Sequence, residues 1–365
     1  MRLQERLNRI ASLAAGKGFE AVVLFGRANI RYITDMRWNV AAFSVLLVRP
    51  SGEVVYAVPV LDHSVALEEC WLGQVGEIRR FPEDTPNYLD VFRGVISPFA
   101  SEVGVDLESA GASQVEMLGA ILGSARLVPV DRDLLAMRAI KDPQEVERLR
   151  EAARIADAGM EAGVREARRG ARERDISLRA KFAMEVEGAE GTSFEPFAMS
   201  GPNSWKPRRY STHRILEDGD LVIFDVGGIY QGYCSDITRT LYVGELEGEK
   251  KDLFDLALSA QQAAVASIKP GVVAGDVDRV ARTIIADAGY GRFFPHLTGH
   301  GVGLDIHEMP ILDQGSQTVL QPGMVVTVEP GVYMPGLGGA RVEDMVLVTG
   351  SGFEVLTRAP RIISV

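Results

Sequence analysis

Histidines cluster in one short segment of the sequence. Three of the five histidines of the chain lie within twelve positions: His296, His300 and His307. The segment Thr298–Glu308 reads Thr-Gly-His-Gly-Val-Gly-Leu-Asp-Ile-His-Glu, with a glycine on each side of His300. Glycine keeps side chains away from the neighbouring backbone, so a ligand can approach closely, and imidazole commonly binds zinc, iron and similar ions. The pattern predicts a glycine-lined metal-binding loop, with incidental histidines in a loop as the alternative.

Two carboxylates lie on a first pair of strand-like runs. Residues 221–228, Leu-Val-Ile-Phe-Asp-Val-Gly-Gly, contain Asp225, and residues 234–243, Cys-Ser-Asp-Ile-Thr-Arg-Thr-Leu-Tyr-Val, contain Asp236. A turn centred at residues 230–231 would place the two aspartates directly across from each other. Such cross-strand neighbours have Cβ atoms roughly 5 Å apart. Two carboxylates this close on otherwise apolar strands repel each other unless a cation lies between them.

A second pair of runs repeats the arrangement. Residues 327–333 contain Glu329 and residues 341–346 contain Glu343, on either side of the glycine-rich turn Pro-Gly-Leu-Gly-Gly. A turn centred on Gly336 would place the two glutamates opposite each other. The sequence therefore predicts two hairpins, each with a facing pair of carboxylates.

These residues form a candidate ligand set of four carboxylates and one imidazole: Asp225, Asp236, His300, Glu329 and Glu343. Oxygen-rich sets with one nitrogen suit two divalent ions such as Mn²⁺, Co²⁺ or Fe²⁺, and zinc is also compatible. Two ions roughly 3.5–4 Å apart can hold a bridging hydroxide and polarise a substrate carbonyl. Any one of the carboxylates alone is better explained as a surface or capping residue, so the prediction of a metal centre depends on all five.

Composition and charge exclude several classes of protein. The 365 residues are 46% hydrophobic and 24% charged, as in ordinary globular proteins, and the length favours two domains. The net charge of −11 argues against nucleic acid as the main partner. No apolar run is long enough to span a bilayer, and the first residues lack the apolar core of a signal peptide. Two cysteines make no disulfide framework, so we predict a cytoplasmic protein without membrane contact.

An α/β domain is predicted for residues 1–132. Apolar residues at helical spacing predict an amphipathic helix over residues 2–15. Three apolar runs follow and are predicted as strands, the last two as a hairpin: residues 21–25, 43–48 and 54–58. Further helices are predicted over residues 62–72 and 108–123. This alternation of strands and helices is typical of a small α/β domain.

A second domain is predicted for residues 133–365. Its first helix begins after Asp142, and Pro143 and Glu145 complete a combination that caps the first backbone N–H groups. Helices are predicted over residues 143–168, 173–188, 249–267 and 275–288. They form two pairs, each followed by a strand hairpin, and residues 191–214 are predicted as an irregular connection. The order indicates an internal two-fold repeat.

Five local motifs resemble those of the methionine aminopeptidase/prolidase superfamily, the M24 or pita-bread metallopeptidases. In order they are Phe-Asp-Val-Gly-Gly, Ser-Asp-Ile-Thr-Arg-Thr, Gly-His-Gly-Val-Gly-Leu-Asp-Ile-His-Glu, Val-Glu-Pro-Gly-Val-Tyr and Arg-Val-Glu-Asp. The resemblance extends from about residue 140 to the end. The first domain, with Asn-Ile-Arg-Tyr-Ile-Thr at residues 29–34, resembles that of the Xaa-Pro dipeptidase (prolidase) and Xaa-Pro aminopeptidase branch, and that of creatinase. The resemblance implies an α/β N-terminal domain followed by an α+β pita-bread catalytic domain, of creatinase/aminopeptidase type, with a pseudo-two-fold repeat.

The resemblance also implies a role for each member of the ligand set. Asp225 would be a terminal ligand of one metal, and Asp236 and Glu343 would bridge both metals. His300 and Glu329 would complete the other metal, and Glu329 would in addition move the proton of the nucleophilic water.

Further residues receive roles from the same resemblance. His296 and His307 match two family histidines that contact substrate or stabilise the tetrahedral intermediate. Arg341 is expected to orient a substrate carboxylate or support the ligands, with a fold-bracing salt bridge as the alternative. Cys234 lies beside the set and is predicted to have a packing role. The family pattern implies a homodimer.

One loop departs from the family pattern. The proline-peptidase branch continues Ser-Gly-Pro-Asn-Ser with Leu-Pro-His, whose histidine lines the substrate cleft, whereas this chain continues Trp-Lys-Pro-Arg-Arg and has Arg208 at that position. Arginine stays charged and binds carboxylates through two parallel hydrogen bonds. We therefore predict Arg208 as a substrate-binding residue. With Lys206 and Arg209 it marks either a pocket for an anionic substrate or a solvated surface, and His213 is predicted to lie on the surface.

The ligand set predicts a dinuclear metal-dependent enzyme with manganese as the expected metal, and the resemblance implies a hydrolase that cleaves Xaa-Pro bonds by a metal-bridging hydroxide. One alternative is a pita-bread relative that acts on a non-peptide amide or other small anionic substrate, as an ectoine-hydrolase-like or creatinase-like enzyme or a lyase. The other is a non-catalytic binding protein. Creatinase-type chemistry uses no metal, and a binding protein has no need of metal ligands, so the five ligand positions argue against both.

Overall fold

The computed structural model describes residues 2–37, 44–72, 75–78, 101–123, 125–206 and 210–365. The chain divides into two compact units, Met1–Arg138 and Ala139–Val365. The predicted start of a strand at residue 43 lies outside the described residues, as do Arg208 and Arg209.

The first unit is built on a six-stranded mixed sheet. In sheet order its strands are β4 (Val75–Ile78), β3 (Val54–Pro59), β2 (Val45–Val48), β1 (Ala21–Leu24), β5 (Glu102–Val105) and β6 (Arg126–Pro129). The described helices are α1 (Arg2–Lys17), α2 (Arg27–Thr34), α3 (Val60–Glu69), α4 (Ala112–Leu122) and α5 (Asp131–Ala139). β2 and β3 pair antiparallel, which confirms the predicted hairpin, and β5 pairs parallel with both β1 and β6.

A buried aspartate joins the sheet of this unit to a helix. Asp106 directly follows β5, and its carboxylate accepts hydrogen bonds from the backbone N–H groups of Phe25 and Gly26, both at 2.8 Å. The side chain of Asn29 in α2 donates a third, at 3.0 Å. One carboxylate thus binds the first backbone groups after β1 and the first turn of α2.

The second unit contains two helix pairs: α6 (Pro143–Glu166) with α7 (Glu173–Val186), and α8 (Gly248–Ser267) with α9 (Ala274–Asp287). The start of α6 confirms the predicted cap. The Asp142 carboxylate accepts from the backbone N–H groups of Gln144 and Glu145, and the Glu145 carboxylate accepts from the Asp142 N–H at 2.9 Å.

Four sheets complete this unit. A four-stranded sheet has the order β20 (Ile363–Ser364), β12 (Ile237–Tyr242), β9 (Leu221–Val226), β8 (Phe197–Ser200), and a three-stranded sheet has the order β11 (Tyr233–Cys234), β10 (Gly228–Tyr230), β7 (Gly191–Thr192). A five-stranded sheet has the order β14 (Glu308–Leu312), β13 (Gly299–Gly301), β15 (Val325–Val328), β18 (Asp344–Val348), β19 (Phe353–Val355), and β16 (Gly331–Met334) pairs with β17 (Gly338–Arg341). The prediction that residues 191–214 are irregular is wrong at β7 and β8, because both strands pair with the first hairpin.

Each helix pair packs on one hairpin. Ile155 of α6, Ile176 of α7 and Phe224 of β9 belong to one buried apolar cluster. Leu253 of α8 and Val326 of β15 belong to another. The two halves of the unit therefore follow the same plan, as the predicted repeat requires.

The register of the first hairpin differs from the prediction. Asp225 pairs with Thr238, because Gln231 and Gly232 form the turn, both with positive φ (45° and 84°). The prediction that Asp225 and Asp236 lie directly opposite each other is therefore wrong. Residues two apart on a strand share a face, so Asp236 lies diagonally from Asp225 on the same side of the hairpin.

The register of the second hairpin confirms the prediction. Met334 pairs with Gly338 around Gly336, and Gly331 pairs with Arg341. Beyond two intervening residues on each side, the same register continues where Val328 of β15 pairs with Asp344 of β18. Glu329 accordingly lies opposite Glu343.

Candidate metal centre

Strands bring all five residues of the predicted ligand set to one cavity of about 400 Å³. Each residue lies in or next to a different strand: Asp225 in β9, Asp236 before β12, His300 in β13, Glu329 after β15 and Glu343 before β18. The remaining lining residues are Phe194, Glu195, Phe197, His296, Leu297, Ile306, His307 and Arg341. The cavity volume is within the roughly 300–1,000 Å³ typical of small-molecule sites.

The innermost part of the site contains two carboxylates and an imidazole. Candidate ligand atoms of Asp236, His300 and Glu343 all lie within 4.8 Å of one another. His300 Nε2 is 3.3 Å from Glu329 Oε1 and 3.6 Å from Asp236 Oδ2. His300 Nδ1 lies 3.0 Å from the Gly301 carbonyl oxygen, to which it donates, so the Nε2 atom is directed at the carboxylates.

The two hairpins are joined beside these ligands. The Glu343 N–H donates to the Thr238 carbonyl oxygen at 3.0 Å, and the Thr238 hydroxyl donates to Glu343 Oε2 at 2.7 Å. Arg341 Nε in turn donates a hydrogen bond to the Thr238 hydroxyl at 3.2 Å, and Arg341 Nη2 donates one to Asp225 Oδ2. Thr238 and the arginine thus fix the directions of two predicted ligands.

The donor set fits a divalent cation. Among the described residues, Asp225 Oδ1 and Glu343 Oε1 are buried and have no hydrogen-bond partner, a condition that buried polar atoms rarely keep. Burial raises the pKa of Asp236 well above its ordinary value, and the charges of Glu343 and Asp225 raise it further. Burial also raises the pKa of Glu343, with the charge of Glu329 adding to it. A cation between these carboxylates would supply both the missing partners and the missing positive charge.

Glu329 is electrostatically different from its neighbours. Burial alone would raise its pKa, but the hydrogen bond with His300 and the charges of His300, His296 and Arg341 lower the pKa of Glu329 to about 2. Its backbone N–H donates to the Thr298 carbonyl oxygen at 2.7 Å, which fixes the chain where β15 ends. The neighbouring His300, His296 and Arg341 thus favour the ionised form of Glu329.

His296 belongs to a hydrogen-bond chain that the sequence did not predict. Arg341 Nη1 donates to the Tyr333 hydroxyl, and this hydroxyl donates to His296 Nε2, both at 2.9 Å. His296 Nδ1 donates to the Leu297 carbonyl oxygen at 2.7 Å, which defines the tautomer, and burial lowers the pKa of His296. Tyr333 lies four residues after Glu329 in the motif Val-Glu-Pro-Gly-Val-Tyr. This short distance from a predicted ligand was the only feature of the sequence that could have indicated a place for Tyr333 near the site.

His307 lines the cavity beside His300. It directly precedes β14 and is exposed, and the centroid of its ring is 4.3 Å from that of His300, in an edge-to-face arrangement. The structure therefore brings both flanking histidines to the cavity of the ligand set.

The glycines around His300 make room for protein backbone rather than for a ligand. His300 lies in a strand, so the prediction of a loop is wrong. A Cβ atom on Gly299 would lie 1.9 Å from the Thr327 carbonyl oxygen, and one on Gly301 would lie 2.2 Å from the Met309 carbonyl oxygen. The glycines thus allow β13 to lie closely between its neighbours.

Residues outside the ligand set have mixed outcomes. Cys234 is buried, as its predicted packing role requires, and burial raises its pKa to about 12. His213 is exposed, which confirms its predicted surface position. The Lys206 ammonium lies 5.9 Å from the centroid of the Trp205 ring, and Arg208 and Arg209 lie outside the described residues. Phe194, Phe197 and Ile306 form an apolar part of the cavity wall, which the sequence did not predict.

Comparison with known families matches both parts of the chain. The sequence profile of metallopeptidase family M24 matches residues 147–350. The profile of the creatinase/prolidase N-terminal domain matches residues 6–140. The α/β first unit and the α+β second unit accordingly have the predicted fold. No helix in the described part of the chain is both long and apolar enough to cross a membrane.

Similar proteins extend over nearly the whole chain. An Xaa-Pro dipeptidase of Pyrococcus horikoshii is 34% identical over 359 residues, covering 98% of each chain. The structure of an Xaa-Pro dipeptidase from Bacillus anthracis is 32% identical and covers 100% of both chains with a TM-score of 0.91. The structure of an X-Pro aminopeptidase from Thermotoga maritima is 30% identical, with a TM-score of 0.85 over 95% of this chain and 98% of the other.

Proposed function

Since the chain belongs to metallopeptidase family M24, we propose that it is a dinuclear metal-dependent enzyme that cleaves Xaa-Pro bonds. The observation that supports this most directly is the convergence of four carboxylates and one imidazole on one cavity, with two buried carboxylate oxygens that lack a partner among the described residues. The similarity to proteins named Xaa-Pro dipeptidase and X-Pro aminopeptidase supports the choice of bond.

We assign the five ligands to two cations. Asp225 would be a terminal ligand of one cation, Asp236 and Glu343 would be shared by both, and His300 and Glu329 would complete the other. Two divalent cations held in this way would supply an activated water and polarise the scissile carbonyl.

In this proposal, side chains of the protein orient the metal ligands and move the proton of the attacking water. Glu329, whose carboxylate lies 3.3 Å from His300 Nε2 in the cavity, is assigned to accept the proton of the attacking water and to return it to the leaving nitrogen. Burial raises the pKa of Asp225 and the Arg341 guanidinium, paired with this carboxylate, opposes the rise, while the Thr238 hydroxyl orients the Glu343 carboxylate. His300 presents Nε2 because its Nδ1 is occupied by a backbone carbonyl.

The cavity wall suits a small apolar ring next to the scissile bond. Phe194, Phe197 and Ile306 line it, and a proline ring would replace water against these side chains. His296 and His307 are assigned to substrate contact, the latter from the exposed side. Arg208 is assigned, from the sequence alone, to bind the carboxylate of the substrate. Arg341 is assigned to orient the substrate through its contacts with Tyr333 and Asp225.

The test is hydrolysis of Xaa-Pro dipeptides by metal-stripped protein after addition of Mn²⁺, Co²⁺, Fe²⁺ or Zn²⁺. We expect metal-dependent release of proline, no release from matched Xaa-Ala dipeptides, and loss of activity and metal in Asp236→Asn without unfolding. Tripeptides of the form Xaa-Pro-Xaa separate a dipeptidase from an aminopeptidase. Full activity without bound metal would contradict the assignment. Stoichiometric metal without turnover of any Xaa-Pro peptide would contradict the substrate and direct the search to small anionic amides.

We propose in addition that the native metal is manganese and that the enzyme is a cytoplasmic homodimer. The oxygen-rich ligand set supports manganese, and two unpaired cysteines support a reducing compartment. Elemental analysis of protein purified without chelators tests the metal, and sedimentation equilibrium tests the dimer. Zinc as the only bound metal, or a monomer at micromolar concentration, would contradict them.

A further inference from the structure

A buried ion pair lies outside the predicted site. Lys141 Nζ is 3.3 Å from Glu308 Oε2, and both side chains are 1% exposed. The Lys141 backbone N–H donates to the Gly323 carbonyl oxygen at 2.9 Å, so the lysine starts from a fixed point of the fold. Burying two charges costs desolvation energy that the attraction often fails to recover, so stability alone is a weak explanation for such a pair.

The glutamate of this pair shapes the segment that precedes it. Glu308 Oε1 accepts a hydrogen bond from the Asp305 N–H at 3.0 Å. The carboxylate also lies against Gly303, where a Cβ atom would be 2.6 Å from Glu308 Oε2. At the other end of the segment, the Cys234 N–H donates to the Gly303 carbonyl oxygen at 2.7 Å.

The segment ends in a histidine of the cavity. Residues 302–307 belong to no helix or strand, so side-chain contacts have a large part in fixing their backbone. His307 is adjacent to Glu308 in the chain, lines the cavity, and has its ring centroid 4.3 Å from that of His300. The conformation of residues 303–307 therefore decides where the His307 ring lies.

We infer that Lys141 is a positioning residue for His307. Lys141 holds the Glu308 carboxylate, Glu308 holds the Asp305 N–H and packs on Gly303, and this sets the backbone that places His307 against the metal site. The effect on catalysis rests on the proposed function, whereas the effect on the segment does not.

Hydrogen exchange tests the structural half of the inference without any substrate. Although Asp305 is exposed, its amide in the wild-type protein should exchange at least about tenfold more slowly than an unprotected amide. Lys141→Met should remove most of this protection. Arg150→Met is the control. Arg150 lies on α6 and forms an ion pair with Glu354 at 2.7 Å, and loss of this pair should leave the Asp305 amide protected. Fast exchange of Asp305 in the wild type, or unchanged protection in Lys141→Met, would overturn the inference.

Kinetics tests the catalytic half. With rates normalised to metal-loaded sites, Lys141→Met should lower kcat by roughly 10- to 100-fold with little change in KM, because displacement of a catalytic group by about 1 Å has effects of this size. Metal stoichiometry should stay unchanged. The double variant Lys141→Met/Glu308→Gln also removes the buried negative charge that Lys141 faces in the wild type while keeping an acceptor for Asp305, and it should recover part of the lost kcat. A stability loss with normal kcat per loaded site would show a merely structural role and overturn the proposal.

A second variant covers the case in which Lys141→Met does not fold. Gly303→Ala keeps Lys141 but would place a Cβ atom 2.6 Å from Glu308 Oε2, so the Glu308 carboxylate has to move from its position between Lys141 and Asp305. It should therefore raise Asp305 exchange and lower kcat in the same way. Normal exchange and normal kcat in this variant would contradict the inference. If the wild type cleaves no Xaa-Pro peptide, the proposed function fails, and the exchange experiment still decides whether Lys141 orders the segment.

Discussion

Individual carboxylates of the site differ in how their charge is balanced. Asp225 faces the Arg341 guanidinium, and Glu329 faces His300. Burial raises the pKa of both Asp236 and Glu343; the charge of Glu343 raises the pKa of Asp236 further, and the charge of Glu329 raises that of Glu343. The two residues assigned as bridging ligands are thus those for which the fold supplies the least compensation, which is where bound cations have most to contribute.

Thr238 offers a test of how the protein orients a bridging ligand. Thr238→Val keeps the size of the side chain but removes the hydroxyl that donates to Glu343 Oε2 at 2.7 Å. We expect metal affinity to fall by roughly 10- to 100-fold, the usual effect of losing a group that orients a ligand. Competition with a fluorescent chelator measures this affinity.

Thr240→Val is the matched control. Thr240 is equally buried on β12, but its hydroxyl bonds to the backbone of Arg341 rather than to a ligand carboxylate. Its variant should lose stability and keep metal affinity within a few-fold. Equal affinities of the two variants would contradict the orienting role of Thr238.

At the scale of elements, close packing of strands brings His300 to the carboxylates. Gly299→Ala would place a Cβ atom 1.9 Å from the Thr327 carbonyl oxygen, so β13 would have to move away from β15. Overpacking of this kind costs about 1–3 kcal/mol of stability. We expect a lower melting temperature together with weaker metal binding, as measured by calorimetry.

Gly315→Ala is the control for that experiment, because a Cβ atom there meets nothing within 4 Å. It should change neither property. If Gly299→Ala binds metal as tightly as the wild type, then the close approach of β13 to β15 has no part in forming the site.

Asp106 makes the stability of the first unit depend on pH. Burial raises its pKa to about 6, against the lowering effect of three hydrogen bonds. The folded state therefore binds more protons than the unfolded state between pH of about 4 and about 6, so the contribution of Asp106 to stability is complete below this window and is lost as the pH rises through it. The difference between the pKa of Asp106 in the folded and in the unfolded chain corresponds to roughly 3 kcal/mol of stability.

The measurement is denaturant unfolding of the wild type and of Asp106→Asn at several pH values, followed by tryptophan fluorescence. The variant cannot titrate at this position, so the stability advantage of the wild type should shrink as the pH rises from 4 to 6 and stay constant above. Parallel pH profiles would contradict the raised pKa of Asp106.

At the scale of the whole molecule, the sequence was most informative where chemistry is local. The carboxylate pairs, the cap of α6 and the centre of the second hairpin follow from residue types within short segments. The register of the first hairpin does not, since it depends on Gln231 adopting a positive φ, which non-glycine residues seldom do. Lys141 and Glu308 are 167 residues apart, and only the folded chain brings them together.

The same distinction applies to the glycines of the histidine segment. Their presence beside His300 correctly indicated close approach, but the sequence could not tell a ligand from the carbonyl oxygen of a neighbouring strand. Tyr333 was likewise visible in a motif, yet its contacts with His296 and Arg341 depend on the pairing of β16 with β17. These contacts depend on the tertiary fold, and they cannot be inferred from a single sequence.

Anomalous diffraction from crystals grown with Mn²⁺ tests most directly whether the five assigned side chains hold two divalent cations. We expect two anomalous peaks roughly 3.5–4 Å apart among Asp225, Asp236, His300, Glu329 and Glu343, with Asp236 and Glu343 contacting both. A single peak would contradict the dinuclear assignment. No peak among these residues, in protein that binds manganese stoichiometrically in solution, would contradict the site itself.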